Sequence, residues 1–427
     1  MLILPRRKVL QGLGAGTLAL SLPFEKARAG LFSGVAGGGG GPTPYTGMVG
    51  TRAIPVTAYS GLNHQVNSRH AIVATDNITT LAVEVSNLYL DNSAPGIDYG
   101  PGASATITCS VEYPLGTRTQ ILFSGIAAGS VASARSLVSD FLSINIPNGA
   151  TFWVWQFYQC TGGIIINFFQ DAALGDQIEY ASSGLTDKTL SGTITNAGNA
   201  SFPPLRVLGL TTKPSVLVIG DSIAAGYNGG SITQTSPYDG RNGLICKSFA
   251  STLAFLNYSS PDTSAQSFQT NCPNRWAKIT EGYYSHLVSE LSANDIQNGS
   301  TAAATLGYLQ TIWAAVPAGK PIIQTTLTPK SSSTDSWATT VNQTALNHAA
   351  HLTLNTSIRS SPSGLTGGYW ETCNACEPVA DDGLWINAAS GPSIGGVATA
   401  DGLHPSDLMY AYLATTGCIN TSMIHYP

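Results

Sequence analysis

The chain has 427 residues, only 10% of them charged, with a formal net charge of −5. So sparse and acidic a charge set argues against nucleic acid or an anionic membrane surface as partner. The length exceeds the ~100 to 200 residues usual for one domain, so two domains are expected.

Residues 1–29 read as an export signal rather than as part of a fold. Arg6-Arg7-Lys8 precedes a weakly apolar, Gly- and Ala-rich run to Leu22, and Ala27-Arg28-Ala29 supplies the small residues of a cleavage site. Paired arginines before a weak apolar core resemble a bacterial twin-arginine signal. Gln11, several glycines and Pro23 break the run well short of the ~20 apolar residues a membrane span needs, so no stable membrane insertion is expected. Without this segment the chain keeps 14 basic and 23 acidic side chains, a charge of −9. The mature protein is expected to be periplasmic or extracellular.

Residues 30–44, with five consecutive glycines and two prolines, form a flexible leader. From 45 to 201 the pattern is β. The segments 79–85, 105–113, 119–123 and 152–158 are short, rich in β-branched or aromatic residues, and separated by Gly, Pro and Asn turns. A β-sandwich or jelly-roll-like domain is expected. The run Phe152-Trp153-Val154-Trp155-Gln156-Phe157-Tyr158 suggests sugar stacking, but it is apolar on both faces, which favours a central, buried strand.

Residues 202–427 change to alternation. Strands near 216–219, 254–258, 286–291 and 321–327 are separated by helical stretches such as 302–316 and 341–358, the pattern of an α/β fold with a parallel sheet covered on both faces. Active sites in such folds lie beyond the carboxyl ends of the strands. Ser222 follows the aliphatic run Val216-Leu217-Val218-Ile219, where a buried strand breaks into a turn before a helix, and is a candidate nucleophile. Near the end of the chain, Asp401-Gly402-Leu403-His404-Pro405 offers His404 as its base and Asp401 as the carboxylate that orients the imidazole. Each residue also has a plain alternative, since Ser and Asp before a helix are common N-caps and Asn is a common turn residue.

Together, Gly220-Asp221-Ser222-Ile223 and Asp401-Gly402-Leu403-His404-Pro405 resemble the first and last blocks of the SGNH, or GDSL, hydrolases over about half the chain. The resemblance implies a flavodoxin-like three-layer parallel sheet, no cofactor, and a glycine and an asparagine completing the oxyanion hole. Glu290-Leu291-Ser292-Ala293-Asn294-Asp295 resembles the third block, with Ser292 in place of its glycine and Asn294 as the oxyanion donor. Asn257-Tyr258-Ser259-Ser260-Pro261 resembles the second block without its glycine. Ser260 is the nearest residue to supply a backbone N–H there, because Pro261 has none. The oxyanion hole is then expected from Ser222, Asn294 and Ser260.

Seven cysteines in an exported chain suggest disulfides, with at least one thiol left unpaired or paired between chains. Cys109 and Cys160 are expected to pair; Cys246 with Cys272 could brace the active-site rim, and Cys373, Cys376 and Cys418 form a third group. His348 and His351 stand at helical spacing but no carboxylate or cysteine joins them at ligand spacing, so no metal site is expected. The resulting expectation is a secreted serine esterase that removes O-acetyl groups from a polysaccharide or glycan. The alternatives are a lipase or thioesterase-like acyl hydrolase, and a non-catalytic glycan-binding surface protein.

Overall fold

A computed structural model describes residues 42–90, 97–195, 198–228, 243–249, 253–387 and 394–425. The export signal and most of the Gly-rich leader lie outside the described residues. No helix among the described residues is long and apolar enough to cross a membrane.

The first body consists of two antiparallel sheets. One runs Gln177–Ala181, Gln65–Val73, Thr151–Cys160, Ala105–Glu112, Arg118–Ile121; the other runs Tyr45–Met48, Arg206–Thr211, Ile78–Ser86, Ser136–Val138. Alternate side chains of both, among them Ile72, Leu81, Val83, Val111, Phe152, Val154 and Val207, close on one buried apolar cluster. The aromatic strand Thr151–Cys160 is central, paired on both sides. Its other face does not offer open indole rings: the Arg69 guanidinium lies 4.2 Å over Trp153, and that of Arg118 lies 3.4 Å over Trp155.

The second body is a five-stranded parallel sheet in the order Ala254–Asn257, Ser215–Ile219, His286–Ser289, Ile322–Thr325, Tyr369–Trp370. Numbered along the chain this is 2-1-3-4-5, the order of flavodoxin-like sheets. The two-residue period of a strand sorts its side chains to opposite faces. Leu217 and Ile219 join Leu309, Trp313, Leu354 and Ile358 of the helices Ala302–Ala314 and His348–Arg359. Val216 and Val218 join Met409 and Leu413 of the helix Asp407–Thr416.

Two boundaries differ from the sequence reading. Arg206–Thr211 falls within residues 202–427, but it is hydrogen-bonded between Tyr45–Met48 and Ile78–Ser86 in the antiparallel sheet, so the first body extends to residue 211. It is buried on both sides, Val207 facing the β core and Leu208 the core it shares with the parallel sheet. The start of the expected helix 341–358 forms a hairpin instead, Ser331–Ser333 with Gln343–Ala345, because the Gln343 side chain bonds the backbone N–H and carbonyl of Trp385. The helix begins at His348.

The expected disulfides are also corrected, since none of the seven cysteines is disulfide-bonded. Cys109 stands opposite Gln156, and Cys160 opposite Ala105. Four ladder positions separate the two, about 13 Å at ~3.3 Å per residue, beyond the Cα separation a disulfide spans. Cys246 and Cys272 belong to apolar clusters on opposite faces of the parallel sheet. Cys373 and Cys376 lie on a single turn of helix, and Cys418 remains a thiol beyond the last helix.

Candidate active site

Ser222 opens a one-turn helix, Ser222–Ala225, at the carboxyl end of the strand Ser215–Ile219. The cap of that helix is Asp221, whose carboxylate accepts the Ile223 N–H at 2.9 Å. The plain alternative for Ser222, an N-cap, is thus already filled by its neighbour. Its N–H is one of the first-turn amides that have no partner within a helix.

The loop before the last helix brings up the other two residues. His404 Nε2 lies 2.8 Å from Ser222 Oγ, and His404 Nδ1 lies 2.6 Å from Asp401 Oδ2. Asp401 Oδ1 accepts the backbone N–H groups of Leu403 and His404, so the carboxylate shapes the loop as well as facing the imidazole. Partial burial works to raise the Asp401 carboxyl, but the hydrogen bonds from the His404 ring, then from the two backbone amides, outweigh it and hold it at about 2. Asp401 is therefore ionised at neutral pH. Gly402 has φ of +80°, and a Cβ there would stand 1.8 Å from the Ser331 carbonyl oxygen. The Gly402 carbonyl accepts from Ser331 N–H at 2.9 Å and from Trp385 Nε1 at 3.0 Å, which locks the loop onto the neighbouring hairpin.

Asn294 arrives from the next strand over. It sits in the helix Ala293–Gln297, and its Nδ2 donates to Asp221 Oδ2 at 3.3 Å and to the Thr263 carbonyl at 3.2 Å, one residue from Ser222. Ser292, which stands where the resembled block has glycine, has φ of 148°, a backbone region that glycine enters freely and other residues at a cost. The glycine of that block thus has a conformational reason, and serine here bears strain instead.

Ser260 is buried beside these groups, but its N–H donates to the Gly220 carbonyl at 3.2 Å. In this arrangement the amide expected to face an oxyanion is engaged with the backbone of the turn that leads into Ser222. The donors that remain from the expected set are the Ser222 N–H and the Asn294 side chain.

No family model matches the chain, and no curated protein matches it. Similar solved structures exist. A member of the lipolytic G-D-S-L family from Veillonella parvula is 18% identical, covering 48% of this chain and 95% of that one, at a TM-score of 0.33. An acetyl xylan esterase from Geobacillus stearothermophilus is 16% identical, with 51% and 98% covered and a TM-score of 0.32. A family two carbohydrate esterase from Cellvibrio japonicus is 10% identical, with 90% and 99% covered and a TM-score of 0.32.

Behind Ser222 lies a pair of carboxyl groups with no signal in the sequence reading. Glu290 Oε2 accepts the Asp221 N–H at 3.0 Å, and both residues are almost fully buried. Gly220 leaves the room for this approach, since a Cβ there would stand 2.7 Å from Glu290 Oε2. Burial, then the charge on Asp221, raises Glu290 well above the usual carboxylate range. Burial also raises Asp221, less far, to about 6. The pair therefore holds a proton on Glu290 when Asp221 is ionised. A carboxyl raised by folding contributes stability that is complete below its unfolded pKa, near ~4, and lost as pH rises through the folded value. Glu290→Gln removes the titration and keeps an acceptor oxygen. Its thermal midpoint, measured against the wild type, is expected to gain as pH rises from 5 to 8; a difference constant over that range would contradict this account.

The remaining candidates lie apart from this site. His351 is buried in the helix His348–Arg359 and is lowered to about 4, chiefly by burial. Among the described residues, Cys373, Glu377 and Asp381 bring donor atoms within 4.8 Å of one another. Their oxygens already serve the protein: Glu377 accepts the Asp381 and Gly383 amides, and Asp381 pairs with Arg359.

Proposed function

We propose that this protein is a serine esterase of the SGNH type. Ser222 Oγ attacks an ester carbonyl as His404 Nε2 takes its proton; His404 returns that proton to the departing alcohol, and water, activated by the same imidazole, resolves the acyl-enzyme. Asp401 fixes the imidazole tautomer and offsets its positive charge. The Ser222 N–H and the Asn294 amide face the developing oxyanion. The reading rests on one observation above the others, the unbroken hydrogen-bond line Asp401–His404–Ser222 at 2.6 and 2.8 Å.

The substrate we infer is an O-acetylated polysaccharide or glycan, met outside the cytoplasm after export by the twin-arginine-like signal. The low charge and hydroxyl-rich composition support this choice. The name of one similar structure, an acetyl xylan esterase, suggests acetylated xylan as a substrate to try first, beside p-nitrophenyl acetate and longer acyl esters. Acetate release from xylan, with the acetyl ester turned over faster than octanoyl or longer esters, is the expected result. A preference for long chains would move the protein to the lipases, and no turnover of any ester would leave it without the proposed activity.

A further inference from the structure

Asp98 belongs to the first body, on the short strand Asp98–Tyr99, yet its side chain is fully buried against the second. Its Oδ2 accepts the N–H groups of Asn274 and Arg275 at 2.9 and 3.0 Å. These are first-turn amides of the helix Pro273–Glu281, whose own N-cap, Cys272, supplies no side-chain capping bond. Asp98 Oδ1 takes Arg275 Nε at 2.7 Å, and the guanidinium is as fully buried as the carboxylate.

From Arg275 the contacts continue to the active site. Arg275 Nη1 donates to Thr263 Oγ1 at 3.0 Å, Thr263 Oγ1 donates to the Ser260 carbonyl at 2.8 Å, and the Thr263 carbonyl accepts Asn294 Nδ2 at 3.2 Å. Because the guanidinium is planar and clamped at Nε, its Nη1 bond fixes where the threonine hydroxyl stands. The hydroxyl has a single proton, given to Ser260, so it can only accept from Arg275. On the far side of the same turn, Asp295, next to Asn294, accepts the Ala265 and Gln266 amides at 2.6 and 3.1 Å. The Thr263 carbonyl is thus pinned from both sides.

We infer that Asp98, Arg275 and Thr263 are positioning residues for Asn294, so that the first body takes part in building the oxyanion site. This rests on the reading of Asn294 as an oxyanion donor. One hydrogen of its amide is held by the Thr263 carbonyl. The other is left beside Ser222, in a long 3.3 Å bond to Asp221 that an oxyanion can replace. A small displacement of that carbonyl turns the amide away from where charge develops, an effect on the transition state and not on substrate binding.

Thr263→Val keeps the shape and removes the acceptor; Thr263→Ser keeps the hydroxyl. With p-nitrophenyl acetate, Thr263→Val is expected to lower kcat about tenfold while KM stays within about twofold, and Thr263→Ser to restore kcat to within about twofold of the wild type. In an Asn294→Ala background, Thr263→Val should add nothing, because the group it positions is gone. Asp98→Asn, which weakens the hold on Arg275 without touching the turn, is expected to lower kcat about threefold or more at unchanged KM, and it carries the test if Thr263→Val does not fold. Wild-type kcat in the first-tested variant that folds, or the same tenfold fall with and without Asn294, would overturn the inference. The underlying reading fails separately: wild-type activity in Ser222→Ala removes the nucleophile, and wild-type kcat in Asn294→Ala removes the donor.

Discussion

Ser222→Ala is expected to lower kcat toward p-nitrophenyl acetate by roughly four to six orders of magnitude, because in the proposed mechanism this hydroxyl forms the acyl-enzyme. His404→Ala should cost a comparable amount. The informative measurement is the double variant: nucleophile and base act as one unit, so removing both is expected to cost little more than removing either. Losses that multiplied would mean that the 2.8 Å contact between them is not used in the reaction. Stability is expected to change little in Ser222→Ala, since the one-turn helix is capped by Asp221. A large fall in the thermal midpoint of that variant would return Ser222 to a structural role.

The second large effect is on folding. Glu84 is fully buried on the strand Ile78–Ser86, and its two oxygens are held by Arg206 of the adjacent strand, Lys278 of the helix Pro273–Glu281 and the Ser136 hydroxyl. Burial acts to raise this carboxyl, but the charges of Arg206 and Lys278 overcome it and bring it to about 2. Glu84→Ala would leave two buried cations whose remaining carboxylate partner among the described residues is Glu281, 31% exposed. Breaking one side of a buried pair in this way costs about 3–5 kcal/mol. Chemical denaturation should therefore show a lower midpoint, and a loss below about 1 kcal/mol would mean that water relieves the stranded charges. A carboxyl lowered by folding contributes stability above its unfolded pKa, and that contribution disappears as pH falls toward 2. The difference between Glu84→Ala and the wild type is accordingly expected to shrink between about pH 4.5 and 2.

The serine, histidine and aspartate that stand in one hydrogen-bond line were legible as neighbours because each sits in a short contiguous motif whose local structure follows from its own residues. The aliphatic run ends at Ile219, Asp221 caps, and Asp401 folds back on His404 within three residues. Ser260 was different. Whether its amide is available depends on the Gly220 carbonyl, 40 positions earlier in the chain, and no local pattern reports that bond. The strand Arg206–Thr211 was given to the wrong body for a related reason, since its partners Tyr45–Met48 and Ile78–Ser86 are distant in sequence and six residues carry too little periodicity to name them. The disulfide expectation came from an argument about compartment and count, and the ladder positions of Cys109 and Cys160 overrule it. A carboxylate in a β-rich stretch ordinarily marks a solvent-facing position, whereas Asp98 and Glu84 face Arg275 and Lys278 of the second body, partners that lie 177 and 194 residues away.

The placement of Arg206–Thr211 bears on how the protein is made. A chain that leaves the ribosome amino end first completes the antiparallel sheets only when residue 211 is out, and the first strand of the parallel sheet begins at Ser215. The first body can therefore finish folding just before the parallel sheet begins. It then presents Glu84 and Asp98 as a ready template on which the helix Pro273–Glu281 docks when it emerges some 60 residues later.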